Sequence, residues 1–184
     1  MNIIKKIIES VSGFKKNNII NKIEPKKQNY SHLEKFINNS KEAFNSMNFS
    51  LSKLNDASKI PNGCPKKNNE AIANQIKALK NITLIFKKIM INISETKNFL
   101  NINEPIKEIE ILNNDFIIIE KINLFLGSVK DDESLIGKLL YAKQEKDIKR
   151  KKYVLRNQIN RLKNKLNNLN EIIKRIEKIY IDKI

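Results

Sequence analysis

Few residues in this chain have side chains suited to covalent or metal chemistry. The 184 residues include one His, His32, and one Cys, Cys64. A nucleophile needs a base within hydrogen-bond reach, and Cys/His metal sites use several such ligands. The acidic triplet 131–133 is typical of a helix start, where the dipole favours negative charge. No Gly-rich phosphate loop is present. The sequence therefore predicts a protein that is not an enzyme, with no cofactor and no metal site.

A basic cluster near residue 150 is the strongest candidate for binding chemistry. The chain carries 36 Lys and Arg against 20 Asp and Glu, a net charge of +16. Such charge attracts phosphate groups, either of lipid head groups or of nucleic acid. The alternative interpretation is a solvated helix face. The predicted anion-binding residues of this cluster are Lys146, Lys149, Arg150, Lys151, Lys152 and Arg156.

The first 14 residues have the pattern of an amphipathic helix. Apolar residues fall on one face at about 100° per residue, and Lys5 and Lys6 lie on the other. Helices of this kind lie in the membrane interface. The alternative is a helix that docks on the rest of the domain. The predicted membrane-inserting residues are Ile3, Ile4, Ile7, Ile8, Val11 and Phe14, with Lys5 and Lys6 as contacts for anionic lipid.

Helical periodicity dominates the remaining sequence. It predicts helices over about 31–60 and 69–103 and one long helix from about Asp131 to the C-terminus. Between them, Pro105 either starts a new helix or kinks a continuing one, and the apolar face extends to Leu126. Ser128 with Asp131 is a candidate cap for the start of the long helix. The predicted domains are an N-terminal amphipathic helix over 1–14, a polar linker over 15–30 and a helical coiled-coil domain over 31–184. No apolar run reaches the 18–20 residues or so that a membrane span needs.

The last helix has the most specific pattern in the chain. Apolar residues alternate at spacings of three and four from Ile148 to Tyr180, interrupted only by Lys152. This is a heptad repeat, which predicts a coiled coil that either forms a dimer or packs within the chain. Lys152 at a core position predicts a local break that places the basic cluster at a helical tip. The predicted seam residues are Leu155, Ile159, Leu162, Leu166, Leu169, Ile173, Ile176 and Tyr180.

The arrangement of these elements resembles the BAR-domain family, and within it the sorting-nexin branch. The likeness is carried by an apolar-acidic stretch at 99–109 (FLNINEPIKEI) and by a Leu/Lys-rich run at 139–146 (LLYAKQEK) that leads into the basic cluster. The resemblance implies an all-α fold, an elongated antiparallel coiled-coil bundle with three helices per chain. It also implies a dimer that binds curved anionic membranes.

The resulting hypothesis is a peripheral membrane protein of the cytoplasm. It would sense or shape curved anionic membranes as a homodimer or heterodimer, in vesicle or endosomal trafficking and protein transport. A second hypothesis is a coiled-coil scaffold that recruits protein partners. A third, disfavoured because only Tyr153 interleaves with the basic residues, is non-specific binding of nucleic acid.

Overall fold

The computed structural model describes residues 31–103, 106–127 and 131–182. These ranges are all-helical and contain no strand, as the sequence predicts. The predicted amphipathic helix and linker over residues 1–30 lie outside them. None of the described helices is both long and apolar enough to cross a membrane. The helices are α1 (Ser31–Lys59), α2 (Pro65–Asn103), α3 (Ile106–Leu126), α4 (Leu135–Gln144) and α5 (Ile148–Ile181).

Helices α1 and α2 form an antiparallel hairpin around a short turn. Pro65 is the first residue of α2, four positions before the predicted start at Asn69. A proline is tolerated there because the first turn of a helix has no partner for its N–H group. The side chain of Asn68 donates a hydrogen bond of 3.2 Å to the carbonyl of Ala57. This bond satisfies one of the carbonyl groups left free at the end of α1.

Helix α3 folds back along α2 instead of extending it. The ammonium group of Lys97 lies 3.5 Å from the carboxylate of Glu120, and Leu124 lies beside Thr83 and Lys87. Residue numbers thus rise along α3 as they fall along α2, which makes the two helices antiparallel. The resemblance implied three helices per chain, whereas the described residues form four antiparallel rows. The third row consists of α3 followed by α4.

The fourth row, α5, closes the bundle between α1 and the third row. Lys41 of α1 pairs with Glu177 near the end of α5. Arg175 pairs with Asp115 of α3, its Nε lying 3.1 Å from the carboxylate. In the interior, the rings of Phe36 and Phe116 meet edge to face with centroids 5.7 Å apart, across the diagonal between α1 and α3. The core is continuous along all four rows.

A glycine ends α3 and separates it from α4. Gly127 has a φ of 68°, the left-handed conformation that commonly ends a helix. The cap of α4 is Ser134, whose hydroxyl accepts a hydrogen bond of 3.0 Å from the N–H of Gly137. The prediction that a helix begins at about Asp131 was therefore wrong by a few residues, and Ser128 lies outside the described residues.

A second interruption, at residues 145–147, divides the predicted long C-terminal helix into α4 and α5. Glu145 and Asp147 both have extended backbone conformations. The prediction of one uninterrupted helix from Asp131 was wrong, because Asp147 is a strong helix N-cap and starts α5 anew. The expected local break does occur, just before Ile148 instead of at Lys152.

The pair between Arg175 and Asp115 gives a test of the packing of α3 on α5. Asp115 is 3% exposed, so Arg175→Met leaves a buried carboxylate without its partner. We expect the free energy of unfolding to fall by about 1–3 kcal/mol, measured by urea denaturation followed by circular dichroism. Adding Asp115→Leu should recover most of the loss, because two apolar residues can replace a buried pair. An unchanged midpoint for Arg175→Met would contradict this account.

The position of Gly127 gives a second stability test. A Cβ atom there would lie 2.0 Å from the Cβ of Ser134, and the left-handed backbone alone costs about 1–2 kcal/mol for other residues. We expect Gly127→Ala to lower the free energy of unfolding by more than this backbone cost. The matched control is Gly63→Ala, since nothing lies within 4 Å of a Cβ at Gly63. Equal melting temperatures for the two variants would refute the argument.

Candidate functional site

The end of α1 and the start of α5 border a groove lined by basic residues. The groove has a volume of about 700 Å³. Its cations come from both helices, and none of its lining residues is acidic. We call it the basic groove, and its lining residues are Asn55, Ser58, Lys59, Lys149, Lys152, Tyr153, Arg156, Ile159 and Asn160.

More exposed cations surround the basic groove at the same end of the bundle. Lys66 and Lys67 lie in the first turn of α2, and Lys146 lies in the turn before α5. The ammonium group of Lys151 lies 2.9 Å from the side-chain oxygen of Asn69, which places the starts of α2 and α5 side by side. Apart from Lys151, none of these cations or those of the groove has an ion pair or a side-chain hydrogen bond within the described residues. This end of the bundle therefore presents free positive charge.

Two carboxylates at this end are engaged in the turn between α4 and α5. Asp147 accepts hydrogen bonds from the backbone N–H groups of Lys149, at 2.8 Å, and Arg150, at 3.3 Å. Glu145 accepts one of 3.0 Å from the N–H of Asp147 and one of 2.7 Å from the hydroxyl of Tyr141. Both side chains reduce the local charge, and both hold the turn that presents the basic residues.

The hydrogen bonds of this turn shift two pKa values. The pKa of Glu145 is lowered, chiefly by the bond from the N–H of Asp147 and then by that from Tyr141. The bond to Glu145 raises the pKa of the Tyr141 hydroxyl. Since the pKa of Glu145 falls on folding, its stabilising contribution is complete above the ordinary value of 4.5. That contribution is lost as the pH falls through the lowered pKa.

The placement of lysines at two helix starts is unfavourable for folding. The first turns of α2 and α5 contain basic residues and no acidic ones. The positive end of a helix dipole disfavours a cation by about 0.3–1 kcal/mol. At α2 the same dipole favours a bound anion, whereas at α5 the carboxylate of Asp147 already accepts from the N–H groups of Lys149 and Arg150. The charge distribution is thus better suited to holding an anionic ligand than to stabilising the isolated bundle.

The structure gathers most of the predicted cluster at this end. Lys146, Lys149, Arg150 and Arg156 are exposed and Lys152 is partly exposed. The exception is Lys151, which was predicted to contact anionic lipid. Lys151 is only 7% exposed, because α5 turns this side chain toward the start of α2. Lys5, Lys6 and the predicted membrane-inserting residues lie outside the described part of the chain.

The fold adds three basic residues that the sequence analysis did not select. Lys59 lines the basic groove, and Lys66 and Lys67 lie beside it. They lie 79 to 87 positions before Lys146, the first residue of the cluster, so only the folding of the chain into a bundle brings them near. The sequence could have pointed to these three lysines through their position, since all three flank the proline-containing turn at 60–64.

The predicted seam faces the core of the chain's own bundle. Its residues are buried except Tyr180, which packs at the edge of the core. The heptad pattern therefore accounts for packing within one chain. A partner that used these side chains would have to open the bundle.

The two candidate reactive side chains are far apart. His32 lies at the start of α1, where its Nδ1 is 3.0 Å from the carboxylate of Glu95. Cys64 is a half-buried free thiol in the turn at the other end of α1. Among the described residues, no group of three His, Cys, Asp or Glu side chains could hold a metal ion.

Comparison with known proteins adds no assignment. No family model, no curated protein and no solved structure matches the chain.

The cap at Asp147 can be tested by its effect on stability. Asp147→Ala removes the side chain that accepts from two N–H groups, and we expect the free energy of unfolding to fall by about 0.5–2 kcal/mol. Asp147→Ser is the control, because serine caps nearly as well as aspartate. Urea denaturation of the three proteins measures the difference. The same midpoint for the Ala and Ser variants would show that the cap does not hold the turn.

Proposed function

We propose that the chain is a peripheral membrane protein whose basic end binds anionic phospholipid head groups. One observation carries the proposal: packing brings Lys59 of α1 next to Lys152 and Arg156 of α5, in a groove without a carboxylate. Each Lys or Arg near an anionic membrane contributes about 1 kcal/mol before screening. Several unpaired cations at one end supply enough attraction for reversible attachment.

The curvature part of the proposal has a different basis. A BAR-like dimer that senses or shapes curved membranes in vesicle or endosomal trafficking follows from the family resemblance. Within the described residues, the seam of α5 is buried in the chain's own bundle. The predicted wedge over residues 1–14 would add apolar insertion to the electrostatic contact.

A second candidate function, binding of single-stranded nucleic acid, is favoured by one side chain. Tyr153 is 68% exposed and lines the basic groove. An exposed aromatic ring between cations is a stacking platform for a base. One such ring offers stacking for one base only, so the geometry favours the membrane over an extended nucleic-acid strand. Recruitment of partners through the seam is less compatible with the burial of its residues.

Charge removal at the basic groove tests the proposal. We expect the triple variant Lys59→Gln, Lys152→Gln and Arg156→Gln to lose about 3 kcal/mol of binding energy before screening, or roughly a hundredfold in affinity. The measurement is co-sedimentation of the full chain with phosphatidylserine-containing vesicles of two diameters, and with neutral vesicles.

The control removes the same charge elsewhere, with Lys35→Gln, Lys163→Gln and Lys178→Gln, all on exposed residues. Equal losses for the two triple variants would mean that only net charge matters, and would overturn the assignment to the basic groove. Binding of oligonucleotides but not of vesicles would favour the second candidate. Preference for the smaller vesicles tests the curvature part separately.

A further inference from the structure

Helices α2 and α3 expose large aliphatic side chains on adjacent faces. Leu84 and Ile91 of α2 are 55% and 59% exposed, and Ile117 and Leu124 of α3 are 43% and 71% exposed. A spacing of seven residues places each pair on one side of its helix. We call these four residues the aliphatic face. Isolated exposed leucines are common on protein surfaces, but two stripes on neighbouring helices are an unpartnered apolar surface.

The two helices meet in a groove that belongs to this surface. Leu124 lies with Thr83 and Lys87 along a groove of about 560 Å³. The groove continues past Gly127 to Ile136 at the start of α4. Leu124 therefore borders α2 directly, and the stripe of α3 approaches the stripe of α2.

Lysines surround the aliphatic face and are left without partners. Residues 71–94 of α2 contain no acidic residue. Their four lysines, Lys77, Lys80, Lys87 and Lys88, are exposed, and none has an ion pair within the described ranges. Of the nearby carboxylates, Glu120 is paired with Lys97 and Glu95 with His32. Asp131 lines the groove itself, and Glu110, seven residues before Ile117, is exposed, so these two offset part of the charge of the four lysines. The surface combines aliphatic side chains with excess positive charge.

This charge decides between the surfaces that could cover the aliphatic face. A second copy of the chain in the same orientation would bring two sets of lysines together. Residues 1–14 carry Lys5 and Lys6 against Glu9 and would also add positive charge. An anionic lipid surface suits both the aliphatic side chains and the lysines. The stems of the lysines lie along apolar surface while their ammonium groups reach the phosphate groups.

We infer that the aliphatic face is the side of the bundle that lies on an anionic lipid bilayer, with Leu84, Ile91, Ile117 and Leu124 entering the head-group region. This inference rests on the proposed function and assigns a face to it. Burial of a leucine side chain is favourable, so partial insertion of four aliphatic side chains adds to the attraction of the lysines. The basic groove lies between α1 and α5 on the other side of the bundle, so the cations that accompany the aliphatic face on the membrane are the lysines of α2.

The absence of tryptophan from the chain makes a direct test available. Leu124→Trp in the full chain introduces a single indole on the aliphatic face, and Leu84→Trp repeats the test on α2. Phe49→Trp is the control, because Phe49 is 62% exposed and borders the groove between α1 and α2. Each variant is mixed with phosphatidylcholine vesicles that contain phosphatidylserine, with and without brominated acyl chains.

We expect the indole of Leu124→Trp to shift its emission to shorter wavelength on addition of vesicles and to lose most of its intensity with brominated lipid. The indole of Phe49→Trp should change little. Co-sedimentation of the same samples reports whether each variant is bound.

Three results would overturn the inference. The first is unchanged emission from both Leu124→Trp and Leu84→Trp while the proteins pellet with vesicles, which leaves the proposed function standing. The second is equal quenching of the Phe49→Trp variant, which removes the preference for one face. The third is short-wavelength emission before vesicles are added, which means that residues 1–14 or a second copy cover the face. Failure of every variant and of the unaltered chain to pellet would instead refute the proposed function.

Discussion

Helix α5 packs on α1, α3 and α4, and its apolar seam forms part of the core against each of them. The seam keeps its three-and-four spacing for the length of the helix, so one side of α5 is buried from Leu155 to Ile176. The register of the other rows depends on this helix: Lys41 and Asp115, on different helices, both pair with its C-terminal end. The position of the basic groove follows from that register.

The basic groove is a direct consequence of this packing. Because α1 runs antiparallel to α5, the last turn of α1 lies beside the first turns of α5, and Lys59 lies across the groove from Lys152 and Arg156. Because α2 starts at the same end, its first lysines join them. The cost of cations at two helix starts is small compared with the hydrophobic stabilisation of the seam. The bundle therefore remains stable even though lysines at the starts of two helices are unfavourable.

The sequence predicted the helices far better than their arrangement. The heptad pattern of α5 and the limits of α1 are encoded locally, in spacing and in the prolines of the turn. The core of α1 was harder to predict, because the small residues Ser40 and Ser50 are buried in it while the apolar Phe44 and Leu51 are only partly buried. Small side chains fit where two helices approach closely, and this depends on the neighbouring helix, which hydropathy does not describe. Lys59 could not be assigned to the site for the same reason, because the residues beside it in the fold come from another part of the chain.

The length of α5 has a consequence for how the molecule responds to its ionic surroundings. Lys152 and Arg175 lie about 35 Å apart along the helix axis, at 1.5 Å per residue. This distance exceeds the Debye length at physiological ionic strength, about 8 Å, several times over. The two ends of the bundle are therefore electrostatically insulated from each other. A polyanion bound at the basic groove therefore leaves the pairing of Arg175 with Asp115 unaffected, so attachment at one end does not disturb the contacts that hold the opposite end together.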